Sequence, residues 1–133
     1  RVRYMEIRRY TPADEALLLE MLAGEGDAWG DYHRPENRER FRRAFSSSVV
    51  YVACSGGRLQ GYVRCREDDG YGVYVFDLLV QKEDRGRRIG KSLMERVRKD
   101  FPGQPVYVMS DVDPYYEKLG YEKIGSIFKV TLD

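Results

Sequence analysis

The chain has 133 residues, and its 23 Lys and Arg residues nearly balance its 22 Asp and Glu residues, giving a net charge of +1. This length suits a single domain, residues 1–133, that needs neither a metal ion nor a disulfide for stability. The balanced charge argues against a nucleic-acid or membrane partner. We see no apolar run that could span a bilayer and no signal peptide, so we expect a cytoplasmic protein.

The first half of the chain predicts one strand followed by helices. Residues 4–10 have strand character, and Thr11-Pro12-Ala13-Asp14 combines an N-cap, a first-turn proline and an early acid. A helix is therefore expected to about Ala23. Residues 24–34 are predicted to form a loop and are a candidate lid. Residues 35–45 have helical composition with a basic face, whose interleaved acids favour a solvated surface.

The second half predicts mainly strands. Residues 49–55 and 59–65 form a hairpin, and residues 71–80 are a nearly continuous apolar run, typical of a central strand covered on both faces. The remaining elements begin with a helix to about Phe101, whose buried side is predicted to carry the residues spaced by four, Ile89, Leu93, Val97 and Phe101. A short strand at 106–109, a brief helix from Asp113 to Gly120, and one or two strands within 121–132 follow.

Two cysteines flank the turn of the predicted hairpin. A two-residue turn places Cys54 opposite Leu59 and leaves Cys65 about six residues further along the ladder. That separation is too long for a disulfide bond. We therefore expect two reduced thiols that pack in the core.

The most informative segment joins the strand at 71–80 to the next helix. Arg85, Arg87, Arg88 and Lys91 lie where that helix begins, although free N–H groups and the macrodipole already make a helix start positive. Each cation there costs roughly 0.3–1 kcal/mol unless an anion binds among them. Glycines in such a turn let several backbone N–H groups point at one phosphate. The segment therefore predicts a phosphate-binding site.

Two separated motifs resemble the GCN5-related N-acetyltransferase (GNAT) family. The strand end Asp77-Leu-Leu-Val80 followed by Arg85-Gly-Arg-Arg-Ile-Gly90 is similar to the family's central strand and pyrophosphate loop, with Arg88 where glycine is usual. About 25 residues later, Tyr115-Tyr-Glu-Lys-Leu-Gly-Tyr121 resembles the family's Phe-Tyr-Glu-Lys-Leu-Gly-Phe signature. The resemblance implies an α/β (α+β) fold. Its mixed, mostly antiparallel central sheet would have about six to seven strands, flanked by about four helices and splayed at the two central strands.

The resemblance also implies acetyl-CoA as co-substrate, without a metal. The phosphates of acetyl-CoA suit the basic helix start, and the strand before it would pair through its main chain with the pantetheine arm. The implied cofactor-binding residues are Leu79, Val80, Arg85, Gly86, Arg87, Arg88, Ile89, Gly90, Lys91 and Ser92. His33 has no metal-ligand partner at a useful spacing, so metal catalysis is not expected.

Acetyl transfer needs a neutral amine, and a primary alkylamine has a pKa of about 10.4, so a base or a solvent path must remove its proton. Asp77 is the only charged residue in 73–80. It is either that base, acting through water, or a structural hydrogen-bond acceptor near a bulge. Several family members place a base Glu one residue earlier, where this chain has Phe76.

Tyr116 matches the position of the family's acid, which protonates the departing thiolate. Helical spacing lets Tyr115 and Leu119 face the core together, while Tyr116 points toward the cleft. An oxyanion donor is also needed, and the Val80 N–H is the candidate that the family match implies.

The sequence does not specify the acceptor, for which a small-molecule amine or a peptide amine is expected. Asp27 and Asp31 can attract a cation, and the aromatic candidates for lining a pocket are Trp29, Tyr32, His33, Tyr71 and Tyr74. Two other functions stay open, a catalytically silent acyl-CoA-binding module and a nucleic-acid-binding domain that uses residues 38–43 with the basic turn. A homodimer is also open, because an exposed strand edge can pair between subunits.

Overall fold

The computed structural model describes residues 4–133, which form one sheet with helices on both faces. The strands follow each other in space in chain order, and neighbours are antiparallel except the last pair. The strands are β1 (Glu6–Arg9), β2 (Val49–Ser55), β3 (Arg58–Glu67), β4 (Val73–Val80) and β5 (Val106–Val108). The helices are α1 (Glu15–Gly24), α2 (Gly30–His33), α3 (Arg38–Ser46), α4 (Ile89–Asp100) and α5 (Asp113–Lys118).

The mixed, mostly antiparallel architecture is confirmed, but residues 4–133 contain five strands rather than six to seven. The strands expected within 121–132 do not form. Apolar residues in this segment, such as Phe128 and Val130, are 85% and 91% exposed. A strand needs a partner for its backbone groups, and this segment pairs with none of the described strands.

Residues 24–34, expected as a loop, contain a 3-10 turn at Gly26–Trp29 and helix α2. A 3-10 turn at Pro12–Asp14 precedes α1, and the Thr11 N–H before it donates to the Asp14 carboxylate at 2.9 Å. Within residues 4–133, no helix combines the length and apolar character that a bilayer span requires.

The sheet separates two apolar cores. Helices α1 to α3 cover one face, where Leu18 and Phe41 pack against Tyr62 of β3. Helix α4 covers the other face, where Leu93 and Val97 are fully buried, as their spacing predicted. Burying each such side chain contributes about 1.5–3 kcal/mol, so the two cores fix the sheet between its helices.

The β2–β3 hairpin has the predicted register, with Cys54 opposite Leu59. Both cysteines are free thiols, and Cys65 is fully buried, which raises its pKa to about 11. The register shifts between Ala53 and Cys54, so that Gln60 is an extra residue in β3. Such a bulge redirects a side chain, and it turns Gln60 toward the chain that follows β4.

A second bulge lies in the middle of β4. Arg64 of β3 is opposite Asp77, whereas Cys65 is opposite Val75, so Phe76 is the extra residue. Before the bulge, Val75 packs in the α4 core; after it, Leu79 packs in the α1–α3 core. One inserted residue has therefore reversed the alternation of β4 and turned Asp77 toward α2.

Candidate active site

Strands β4 and β5 separate halfway along β4, as the resemblance implied. Their pairing ends at Val75, whose carbonyl accepts a hydrogen bond from the Met109 N–H at 2.9 Å. Strand β4 continues to Val80 beside β3 alone. On the far side of the opening, the Tyr115 hydroxyl of α5 lies beside Gly90, which also has the Leu78 side chain as a neighbour. The separated strands form a cleft that ends at the start of α4.

The end of β4 presents backbone groups to this cleft. The Gln81 N–H donates to the Gln60 carbonyl of β3 at 2.8 Å. Because bonding alternates along an antiparallel strand, the peptide groups of Leu78 and Val80 face away from β3, into the cleft. The implied cofactor residue Leu79 instead bonds toward β3, and its side chain is buried in the α1–α3 core.

The segment between β4 and α4 has the backbone of an anion site. Gly86 has φ +85°, and Arg88 also adopts the left-handed region, with φ +62°, at the position where glycine is usual. Helix α4 begins at Ile89, so the N–H groups of its first three residues have no acceptor within the helix. Ser92 is already engaged, because its hydroxyl donates to the Arg88 carbonyl at 2.9 Å.

The four cations of this segment remain accessible. Arg88 is exposed and forms no salt bridge within residues 4–133. Arg85 donates from Nε to the Val80 carbonyl at 3.0 Å and pairs with Glu25 at 3.3 Å. The side chains of Arg85, Arg87 and Lys91 are 49%, 67% and 39% exposed. An anion at the start of α4 would therefore meet both free N–H groups and positive charge.

Asp84, which the sequence analysis did not single out, anchors this basic segment. Its side chain is 2% exposed. The Arg58 guanidinium donates to Oδ1 at 3.0 Å and lies 2.6 Å from Oδ2, and Gln60 Nε2 donates to Oδ1 at 3.2 Å. The hydrogen bond from Arg58 is the main reason that the pKa of Asp84 lies below its usual value. No short-range pattern predicts this contact, because Arg58 is 26 residues away and a bulge directs Gln60.

Asp77 is buried in a hydrogen-bonded network rather than free in the cleft. Arg64 Nε donates to its Oδ2 at 2.7 Å, and the Tyr32 hydroxyl donates to its Oδ1 at 2.8 Å. Arg64 also donates to the Tyr32 hydroxyl at 3.1 Å. Burial, followed by the charge of Asp77, raises the pKa of Tyr32 to about 12. The network joins Tyr32 of α2 to Arg64 of β3 and Asp77 of β4, next to the bulge at Phe76.

Two neighbouring tyrosines of α5 have different surroundings. The expectation that Tyr115 faces the core is wrong, because it is 39% exposed and a Cβ atom on Gly90 would overlap its hydroxyl. Tyr116 packs between Tyr115 and Tyr121, with ring centroids 5.0 and 6.2 Å apart. Burial is the main cause that raises the pKa of Tyr116 to about 12.

The residues suggested for the acceptor do not form one pocket. Trp29 and Tyr32 pack in an aromatic cluster over the α1–α3 core. The side chains of Asp27 and Asp31 are 99% and 86% exposed. Among the other candidates, His33 has its Nε2 3.0 Å from the Gly26 carbonyl oxygen. Tyr71 is 80% exposed, and Tyr74 packs on Tyr107. No cluster of three metal-ligating side chains occurs in the described part of the chain.

Residues 11–131 match the family model of the acetyltransferase (GNAT) domain. An uncharacterized N-acetyltransferase of Porphyra purpurea, ycf52, is 26% identical over 105 residues, which are 73% of this chain and 60% of that protein. Chloroplastic serotonin N-acetyltransferase 2 of Oryza sativa subsp. japonica is 31% identical over 93 residues, 62% of this chain and 46% of that protein. The chain thus spans only about half the length of these two relatives.

The aminoglycoside N-acetyltransferase AAC(6')-Iy, solved in complex with CoA, has a similar fold, with a TM-score of 0.77. The match covers 99% of this chain and 97% of that chain at 13% identity, so it concerns the fold alone. Cytoplasmic location, a single domain and a homodimer stay predictions, and the rice relative is chloroplastic. Because the family model covers most of its length, the chain belongs to the GNAT acetyltransferase family.

Proposed function

We propose that this chain transfers an acetyl group from acetyl-CoA to a primary amine, by direct attack within a ternary complex. The observation that carries the proposal is the cleft, where β4 extends beyond its pairing with β5 and leads through a turn to a helix start with free N–H groups and accessible cations. A pyrophosphate fits such a helix start. The use of acetyl-CoA by the family, and the CoA held by AAC(6')-Iy, support the same cofactor.

The end of β4 is suited to the rest of the cofactor. An extended pantetheine arm can pair with the peptide groups of Leu78 and Val80 as an added strand would. Leu78 thus takes the role that the resemblance implied for Leu79, whose backbone bonds toward β3. The Val80 N–H is the proposed donor to the oxyanion that forms when the amine attacks the thioester.

We propose Tyr116 as the acid that protonates the departing thiolate. Burial is the main cause that raises its pKa to about 12, above the pKa of a free thiol, about 8.5. Binding of the cofactor must bring the two groups together and favour the phenolate. Tyr115, whose hydroxyl lies beside Gly90, is the natural comparison.

The two hydrogen bonds to Asp77 support its structural role over its role as base. Arg64 occupies Oδ2 and the Tyr32 hydroxyl occupies Oδ1, so both carboxylate oxygens already accept hydrogen bonds from the protein. The amine proton then leaves through water. An Asp77→Asn variant separates the two roles. If Asp77 is structural, the variant should have a changed KM and an unchanged acid limb of the pH–rate profile. If Asp77 is the base, the variant should lose that limb.

Thermal unfolding with acetyl-CoA tests the cofactor first, with ATP as the phosphate control. At about 100 times its Kd, acetyl-CoA should stabilise the protein by about 2.7 kcal/mol, which is several degrees at this size. We expect Arg88→Glu to remove the shift and Arg98→Glu, on the last turn of α4, to preserve it. A wild-type protein that acetyl-CoA does not stabilise would contradict the proposed function.

Release of free CoA thiol in the presence of primary amines tests catalysis. We expect Tyr116→Phe to lower turnover well over tenfold with little change in acetyl-CoA affinity, and Tyr115→Phe to have a smaller effect. Equal turnover of wild type and Tyr116→Phe would remove Tyr116 from the mechanism. Stabilisation by acetyl-CoA without turnover of any amine would favour the catalytically silent acyl-CoA-binding module.

A further inference from the structure

A row of side chains beside the cleft has no part in the steps described above. Arg66 of β3 is opposite Tyr74 of β4, which is in turn opposite Tyr107 of β5. The two tyrosine rings lie 5.3 Å apart at 34°. The valines that alternate with them pack in the α4 core, so the row lies on the opposite face, the side of α1 to α3.

Arg66 is held in place without being neutralised. Its Nη2 donates to Ser47 Oγ at 3.0 Å and its Nε donates to Ser48 Oγ at 3.3 Å. The neighbouring Arg64 is paired with Asp77, but Arg66 is exposed and forms no salt bridge with any described residue. A guanidinium fixed by neutral hydroxyls keeps its full charge and is suited to a carboxylate or phosphate oxygen.

The row lies at a defined distance from the reacting end of the cleft. Leu78 is four residue steps beyond Tyr74, which corresponds to roughly 10–13 Å along a strand, less where the bulge shortens it. Phe76 lies between them, is 39% exposed, and has the Arg64 guanidinium 5.4 Å from its ring centroid. The surface between Arg66 and the cleft is therefore aromatic.

We infer that the acetyl acceptor is an amine that carries a planar apolar group and, roughly 10 Å from its nucleophilic nitrogen, an anionic group. This inference rests on the proposed acetyltransferase function. The anion binds Arg66, and the planar group lies on the aromatic surface of Tyr74 and Phe76. In an α-amino acid acetylated on its α-amino group, the α-carboxylate is too close to the nitrogen to span this distance. That carboxylate is therefore not the anion.

Two amines of the same shape test the charge requirement. In 4-(2-aminoethyl)benzoate and 4-(2-aminoethyl)benzamide the primary amine and the ring are identical, and only the carboxylate carries a negative charge. We expect the wild-type kcat/KM to be about tenfold or more higher for the benzoate. Arg66→Gln should remove that preference, with the larger loss of kcat/KM falling on the benzoate. Arg98→Gln, an exposed arginine of α4, should preserve it.

Three results would overturn the anionic subsite while the proposed function stands: equal kcat/KM values, a preference that survives Arg66→Gln, or no reaction of either probe while acetyl-CoA still stabilises the wild type. Loss of stabilisation by acetyl-CoA in the wild type would overturn both proposals. Melting temperatures of the variants without ligand show whether a lost preference reflects a damaged sheet.

Discussion

Two basic stretches of this chain have similar composition and different structures. The first stretch is residues 38–43 of α3. Its Arg42 pairs with Glu15 at 2.8 Å and with Glu39 at 3.3 Å. Its Arg40 lies 4.0 Å from Asp31. The stretch is a regular helix with a buried Phe41. Residues 85–91 combine two left-handed residues, a helix start without an acid in its first turn, and an exposed Arg88. Charge content therefore does not identify the anion site.

The backbone distinguishes the two stretches. In α3 the cations lie on a continuous helix, where Arg42 pairs with Glu39 one turn away and with Glu15 of α1. In the second stretch the chain turns sharply at Gly86 and Arg88, and free N–H groups add to the positive potential. A buried acid, Asp84, holds that turn against β3. Substitutions in the two stretches should accordingly have different, sometimes opposite, effects.

The largest expected effect is that of Asp84→Ala. It leaves Arg58 and Gln60 without their shared acceptor and frees the turn from β3. Removing one partner of a buried ion pair costs about 3–5 kcal/mol, and we expect the lower end because Arg58 is 43% exposed. Acetyl-CoA affinity should also fall at least about tenfold, since the anion site loses its fixed geometry.

The matched variant is Glu39→Ala in α3, which removes an exposed acid whose side chain is 76% exposed. We expect it to leave acetyl-CoA affinity unchanged. Urea unfolding and calorimetric titration with acetyl-CoA measure both quantities. An Asp84→Ala protein with wild-type affinity would show that the turn keeps its shape without the anchor.

A smaller effect is expected from Gly61→Ala. Gly61 of β3 is opposite Val80, the last residue of β4 before the basic turn. A Cβ atom on Gly61 would lie 2.7 Å from the Leu79 carbonyl oxygen and 3.3 Å from Val80 Cα, both backbone atoms. Overpacking of this kind costs about 2 kcal/mol and should displace the Val80 N–H. Gly24→Ala in α1, where the added methyl group meets nothing within 4 Å, should not destabilise the protein. Equal melting temperatures of the two variants would contradict this prediction.

The same substitution should have opposite signs in the two stretches. Arg88→Gly places glycine at a left-handed residue and should stabilise the protein by about 1 kcal/mol. Arg43→Gly introduces glycine into α3 and should destabilise it by about 1 kcal/mol. Acetyl-CoA affinity should fall only for Arg88→Gly, which loses a cation. Thermal unfolding with and without acetyl-CoA measures both effects, and a destabilised Arg88→Gly protein would show that the left-handed turn carries no strain.

The sequence predicted the elements with strong local patterns. The α4 stripe and the Cys54–Leu59 register follow from spacing within a few residues, and both are confirmed. The bulge at Phe76 has no such pattern, because a pleated strand with one extra residue has the same composition as one without. The sequence therefore identified Asp77 as unusual but did not show that it faces Tyr32 and Arg64. The prediction of C-terminal strands was wrong for a related reason, since strand pairing depends on a partner that is distant in the sequence.

The smallest predicted effect concerns acid sensitivity of the α3 stretch. The hydrogen bond from Arg42 is the main cause that lowers the pKa of Glu15. A carboxyl group with a lowered folded-state pKa adds stability above its unfolded pKa of about 4.3, and this stability is lost as the pH falls through the folded value. Glu15→Gln should therefore lower the melting temperature at pH 7, by less than Arg43→Gly, and this difference should shrink as the pH falls through the folded-state pKa of Glu15. A difference that does not shrink in acid would mean that shape, rather than charge, joins α1 to α3.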